Sequence, residues 1–320
     1  MSARPAAIMS PSSEGPDMRK AIGATALACV LLACATTAVD SVQTAAPKFD
    51  SSRAFEDLRR QVGFGPRPAG SAALAQCRQY ILAQVKAAGI TAREDAWEAI
   101  TPIGRIPMVN VIATIPGKRS DRIGLTTHYD TKLERDFRFV GASDGASSTA
   151  AVLELGRVLA KRQNEYTIEL IFFDGEEAVI QWAGTDNTYG SRHYVAAAQS
   201  SGTLKTLKAL VLLDLIGDRN LNLRRETNST PWLTDIVWTT ARKLGYTREF
   251  LNEDFTVGGD DHFPFLAAGV PALDIIDLDY APWHTAQDDL DSVSARSLQV
   301  VGDVVLEALP RIEQRLASTK

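Results

Sequence analysis

Several short stretches of this 320-residue chain carry side chains that could do chemistry: His128 and Asp130, Asp144, Asp174-Gly175-Glu176-Glu177, Asp214, and Trp283-His284-Thr285. Imidazoles and carboxylates serve as general acids and bases and as ligands for metal ions. Taken singly, each residue has an ordinary reading. Asp144 fits the N-terminal cap of the helix it precedes. His128 or His284 alone fits a hydrogen-bonded structural histidine, and Glu176 and Glu177 fit two solvated charges at the end of a strand. Asp214 is different, because it lies in the apolar run Leu207 to Leu215. A carboxylate buried there requires a partner or a metal.

The elements around these residues place them together. Thr167 to Phe173, rich in β-branched and aromatic residues, and the near-continuous apolar run Leu207 to Leu215 read as strands, as do Met108 to Ile115, Arg122 to Thr127 and Pro271 to Ile276; Thr91 to Ile100 fits an edge strand. Between and around them, apolar residues recur at helical spacing in Ser51 to Gln61, Ala72 to Ala88, Asp144 to Arg162, Tyr189 to Gln199, Pro231 to Leu244, His262 to Ala268 and Ala295 to Leu316. Strands that are apolar throughout and alternate with helices predict a single α/β domain, its mixed, mostly parallel sheet covered by helices on both faces. In such sheets ligands bind beyond the carboxyl ends of the strands. The candidate residues follow strands or, like Asp214, lie near the end of one, so they share that edge.

Four carboxylates and two histidines on one edge repel one another unless a cation joins them. Carboxylate with imidazole is a donor set that zinc accepts when it keeps one position open. Adjacent glutamates allow one to hold the metal while the other reaches the same pocket as a general base. Asp130, two residues after His128, is placed to orient the imidazole.

Composition narrows the partners. The formal net charge is -5, which argues against a nucleic-acid ligand. Met18-Arg19-Lys20 followed by the small and apolar run Ala21 to Ala33 reads as a secretory signal, too short for a comfortable membrane span. Met18 offers a second translation start. Leu31-Leu32-Ala33-Cys34 resembles a bacterial lipobox, with cleavage near Ala38 as the competing reading. Residues 1–35 are thus expected to be a signal, 36–50 a tether and 51–320 the working domain. The protein is expected to be exported from a bacterial cell and periplasmic, membrane-anchored through a lipidated Cys34, or secreted, and to be a monomer. Of three cysteines, only Cys77 falls in the domain, so no disulfide is available there.

Longer motifs resemble the zinc aminopeptidase-like M28 peptidases, and most closely their glutaminyl cyclase branch, from about Phe49 to the end. They are His128-Tyr129-Asp130-Thr131-Lys132, Phe139-Val140-Gly141-Ala142-Ser143-Asp144, Phe172-Phe173-Asp174-Gly175-Glu176-Glu177-Ala178 with Trp182, Tyr189-Gly190-Ser191-Arg192-His193, Leu213-Asp214-Leu215-Ile216-Gly217, Asp260-Asp261-His262-Phe263-Pro264-Phe265 and Trp283-His284-Thr285. The resemblance implies a zinc held by Asp144, Glu177 and His284, with Glu176 as acid/base and Asp214 and Asp260 as hydrogen-bonding partners. Trp182 and Trp283 would shape the pocket. The implied reaction closes the N-terminal glutamine of a peptide into pyroglutamate and releases ammonia. The rival reading is a two-metal aminopeptidase, in which His128 and Asp214 hold a second zinc and Asp144 bridges. Animal cyclases carry a histidine where this chain has Asp274.

Overall fold

A computed structural model describes residues 47–318. The signal at 1–35, with Met18 and Cys34, and most of the tether lie outside the described residues. Among the described residues no helix is long and apolar enough to cross a membrane.

The chain opens with α1 (Ser51–Gly63) and α2 (Ala72–Ala87), then runs β1 (Thr91–Thr101), β2 (Gly104–Ile115), β3 (Arg119–His128), α3 (Ala146–Leu159), β4 (Tyr166–Phe173) and α4 (Tyr189–Ser200). It continues with β5 (Leu207–Asp214), β6 (Leu223–Glu226), α5 (Pro231–Leu244), β7 (Phe250–Phe255), α6 (Phe263–Ala267), β8 (Ala272–Ile276) and α7 (Ala295–Ser318). Local chemistry sets several boundaries. The Asp50 carboxylate accepts the Ser52 and Arg53 N–H groups at 3.1 Å and starts α1. Pro231 stands in the first turn of α5, and Gly245, at φ 86°, ends it in the left-handed conformation.

The main sheet has the order β1-β2-β4-β3-β5-β8. β4, β3, β5 and β8 are mutually parallel, whereas β1 and β2 form an antiparallel hairpin added at the β4 edge. Alternation along the central strands divides the core between two faces. Leu170 and Phe172 of β4, with Val211 and Leu213 of β5, pack towards α1, α2, α3, α5 and α7. Ile171 and Phe173, with Leu210 and Leu212, pack towards α4 and α6. This is the mostly parallel, two-sided α/β sheet expected from the alternation of elements.

The structure departs from the sequence reading in a few places. β1, paired with β2 from Thr91 to Thr101, is the expected edge strand, but β2 starts at Gly104, not Met108. The parallel pair β6–β7 was not expected. Its segments, Leu223-Arg224-Arg225-Glu226 and Phe250 to Phe255, are too charged to show an apolar alternation. Phe49 and Asp50, assigned to the tether, belong to the domain: Phe49 is buried and Asp50 caps α1. Cys77 is buried, 3.7 Å from the Gln61 side-chain oxygen.

Phe49 lies flat against Gly302 of α7, where an added Cβ would sit 2.3–2.5 Å from ring atoms. Gly302→Ala should therefore destabilise the domain by about 1–3 kcal/mol through overpacking, despite alanine's better helix propensity. Urea unfolding checks this. The penalty should shrink in a Phe49→Ala background, where the ring is gone.

Candidate metal centre and its pocket

The carboxyl ends of β3, β4 and β5 and the turn leading into α3 deliver the candidate residues to one place. His128 is the last residue of β3 and Asp214 the last of β5, while Glu176 and Glu177 follow β4 by a turn at Gly175. Gly175 has φ 67°, and a Cβ there would strike the Met108 sulfur at 2.6 Å. Only glycine fits that turn.

Asp144 precedes α3 but does not cap it. The cap position is Gly145, and no side chain makes a capping bond there. The Asp144 carboxylate instead faces both histidines. Its Oδ2 lies 3.3 Å from His284 Nε2, and its Oδ1 lies 3.2 Å from His128 Nε2. Glu177 Oε1 is 3.2 Å from His284 Nε2, and Asp214 Oδ1 is 3.1 Å from His128 Nε2. Two donor groups therefore converge on either side of Asp144: Asp144, Glu177 and His284, and His128, Asp144 and Asp214.

These separations suit a cation. Donors about 2.0–2.1 Å from a tetrahedral zinc stand about 3.3 Å apart. Asp144 Oδ2 is buried with no hydrogen-bond partner, although His284 Nε2 is only 3.3 Å away. Its lone pairs are spare for a metal. The electrostatics agree. Burial, together with the Asp144 charge, pushes Glu177 up to about 7. Burial also drives Glu176 well above the usual carboxylate range, reinforced by Glu177, Asp260 and Asp261 and only partly offset by His128. For His284, burial works downward, yet the facing carboxylates of Asp144 and Glu177 prevail and raise it to about 10. Carboxylates in this condition gain from any positive charge among them.

A second rank of groups fixes the first. Asp130 Oδ1 lies 3.3 Å from His128 Nδ1, as expected of an orienting carboxylate. The same Oδ1 accepts the backbone N–H of Glu176 at 3.2 Å, and Oδ2 accepts that of Glu177 at 3.3 Å. One buried carboxylate thus ties the histidine to the glutamate pair. Asp288, which the sequence reading passed over, accepts the N–H groups of Ser143 at 2.7 Å and Asp144 at 3.1 Å, and the Tyr280 hydroxyl at 2.7 Å. Nothing in the acid-rich run Asp288-Asp289-Leu290-Asp291 distinguishes it. Arg67 was missed as well. Its guanidinium is fully buried and donates to carbonyls of Val140 at 2.8 Å, Gly65 at 3.2 Å and Gly141 at 3.3 Å, bracing the turn that leads to Asp144.

The site opens into a cavity of about 330 Å³, floored by Asp144, Glu176, Glu177, Asp214, Asp260 and His284 and walled by Trp182, Trp283, Val257 and Leu278. That volume is at the small end of ligand pockets. Trp182 is 41 % and Trp283 44 % exposed, so both are rim residues. Asp260 is raised to about 6 by burial and by the neighbouring Asp214 charge. Asp274 lies behind it, fully buried, with neither oxygen hydrogen-bonded. His262 is also buried there, its ring nitrogens 3.3 Å from Glu226 and 3.7 Å from Asp274. His193 stacks on Trp97 at 4.1 Å, away from the pocket lining. Gly258 and Gly259, just before Asp260, do not adopt positive φ. Gly259 instead makes room for Trp182, whose indole nitrogen would be 3.3 Å from a Cβ.

Backbone strain gathers at the same edge. Among the described non-glycine residues, Thr188, Leu215 and His284 have positive φ, at 47°, 50° and 51°. Leu215 follows Asp214, and the Thr188 N–H is hydrogen-bonded to the Glu176 carbonyl at 2.7 Å.

The chain is similar over its fold to an Acidobacteriales bacterium glutaminyl cyclase, with a TM-score of 0.81 and 41 % identity over 85 % of this chain and 98 % of that one. It is 30 % identical to the glutaminyl-peptide cyclotransferase of Bos taurus over 74 % of this chain and 75 % of the relative. It is 31 % identical to a glutaminyl-peptide cyclotransferase-like protein of Bos taurus over 69 % of this chain, spanning 66 % of that relative, just under two thirds of its length. Residues 110–309, which include every residue of the two donor groups around Asp144, match peptidase family M28. On the fold, the edge cluster and that match, the chain belongs to peptidase family M28 and is similar to its glutaminyl cyclases.

Proposed function

We propose that this protein is a zinc-dependent glutaminyl-peptide cyclotransferase, converting the N-terminal glutamine of peptides to pyroglutamate with release of ammonia. The observation that carries the reading is the division of the glutamate pair. Glu177 faces Asp144 and His284. Glu176 lines the same cavity, with a histidine nitrogen no nearer than 4.0 Å. One glutamate is committed to the donor set and its neighbour is available for proton transfer. The named cyclases among the similar proteins support the same choice.

Asp144, Glu177 and His284 would hold the zinc. When bound, it supplies Lewis acidity that polarises the side-chain amide carbonyl of the substrate. The chain's own groups do the rest. The substrate's α-amine attacks the amide carbon of its own side chain, forming the lactam C–N bond as the bond to the leaving nitrogen breaks. Glu176 takes a proton from the attacking amine and returns it to that nitrogen, which departs as ammonia. The elevated proton affinity that burial gives Glu176 suits a group that must hold a proton between these two events. Asp214 and Asp260 hold the polar end of the pocket, while Trp182 and Trp283 limit water, which the reaction does not consume. Export, with or without lipidation at Cys34, is part of this proposal, because an N-terminal segment of that character would send the enzyme to peptides outside the cytoplasm.

Mass spectrometry of a Gln-initiated and an Ala-initiated peptide decides between the readings. Loss of one ammonia from the first, with the second untouched, is the expected result. Removal of an N-terminal residue would instead establish an aminopeptidase. Glu176→Gln should lower kcat by about 10²–10⁴-fold with zinc retained, whereas His284→Ala should lose zinc. Elemental analysis of the reloaded domain should find one zinc per chain. Two would bring the group His128, Asp144 and Asp214 into use and favour the peptidase.

A further inference from the structure

The segment from Ala178 to Asn187 runs past the pocket mouth without helix or strand. It carries Trp182 at the rim, and its Ile180 is 54 % exposed. Apolar side chains on an irregular loop have little packing to fix them, yet Trp182 forms a wall of the cavity. A single carboxylate gives the loop its shape. Asp186 Oδ2 accepts the N–H groups of Ile180 at 2.9 Å and Gln181 at 3.0 Å, and Oδ1 accepts the Val179 N–H at 3.0 Å. The Tyr189 hydroxyl donates to the same Oδ1 at 2.7 Å. Three successive amides converging on an ionised oxygen pair form a nest, held by charge-assisted hydrogen bonds.

The far end of the loop is held separately. Arg192 donates to the carbonyls of Thr185 at 2.6 Å and Asn187 at 2.7 Å. Gly259 lies close against the indole, where an added Cβ would stand 3.3 Å from the indole nitrogen. Asp186 is absent from the cavity lining. Its carboxylate can act on a bound substrate only through the residues it positions.

We propose that Asp186 is a positioning residue that holds Trp182 over the pocket and so sets how tightly a Gln-initiated peptide is bound. This rests on the cyclotransferase reading. An asparagine at 186 keeps the size of the side chain but offers one acceptor oxygen, and turns an NH₂ group towards backbone N–H donors. The nest then loses its anchor while the metal donors stay in place.

The test uses the signal-free domain and its Asp186→Asn, Trp182→Phe and doubly substituted forms. Asp186→Asn should raise KM for a Gln-initiated peptide about tenfold, as loss of charge-assisted hydrogen bonds predicts, with kcat within about threefold and zinc content unchanged. Acrylamide quenching assigned to Trp182, taken as the difference between each protein and its Trp182→Phe counterpart, should increase. In the Trp182→Phe background, Asp186→Asn should add little to KM. Unchanged Trp182 quenching overturns the proposal whatever the kinetics. So does an equal rise in KM with and without Trp182, or a fall in zinc content that accounts for the loss. If the parent domain leaves Gln-initiated peptides intact, the cyclotransferase reading fails, and the quenching comparison alone decides whether Asp186 holds the loop.

Discussion

Negative charge crowded into a dry space governs the architecture at the carboxyl edge of the sheet. Asp144 gives one oxygen to the neighbourhood of each histidine, and Glu176, Glu177, Asp214 and Asp260 stand around it with little exposure. Such groups are costly to bury unless positive charge and hydrogen bonds offset them. The fold meets this with rigidity rather than distance. The Asp144 turn is hung from Asp288 by two backbone N–H groups and braced from behind by the buried Arg67 guanidinium. The glutamate pair is hung from Asp130. Donors held in this way cannot relax apart, and that is what makes the cluster receptive to a cation.

Because Asp130 serves both His128 and the amides of the glutamate pair, His128, Glu176 and Glu177 are tied to one carboxylate. Their positions are fixed by the register of two neighbouring parallel strands, in which His128 is paired with Phe173. The antiparallel hairpin β1–β2 supports the same unit from the side. The Asp174 carboxylate accepts the Val109 N–H of β2 at 2.8 Å, and burial raises that carboxyl to about 8.

Much of this was legible in the sequence, and the exceptions have physical causes. The central strands are apolar on both faces because helices cover both, so their order of appearance and the edge they share could be read directly. Asp214 stood out because a charge in an apolar run has few explanations. Asp288, Asp186 and Arg67 were invisible for the opposite reason. Each works on backbone groups, of distant segments for Asp288 and Arg67 and of its own irregular loop for Asp186, and no pattern in one chain reveals which carbonyls or amides a side chain will meet. β6 and β7 escaped because their exposed, charged residues hide the pairing. The cap reading of Asp144 was reasonable from position alone; the turn through Gly141 and Gly145, at φ 53° and 82°, aims the carboxylate into the site instead of at the helix.

The left-handed backbone at Thr188, Leu215 and His284 has a thermal consequence. Each such residue costs about 1–3 kcal/mol, and all three adjoin the pocket rather than the sheet beneath it. Heat should therefore loosen the pocket first, by local opening of the segments that carry this strain. Inactivation would precede collapse of the core, and the working life of the enzyme would be set by the mouth of its site.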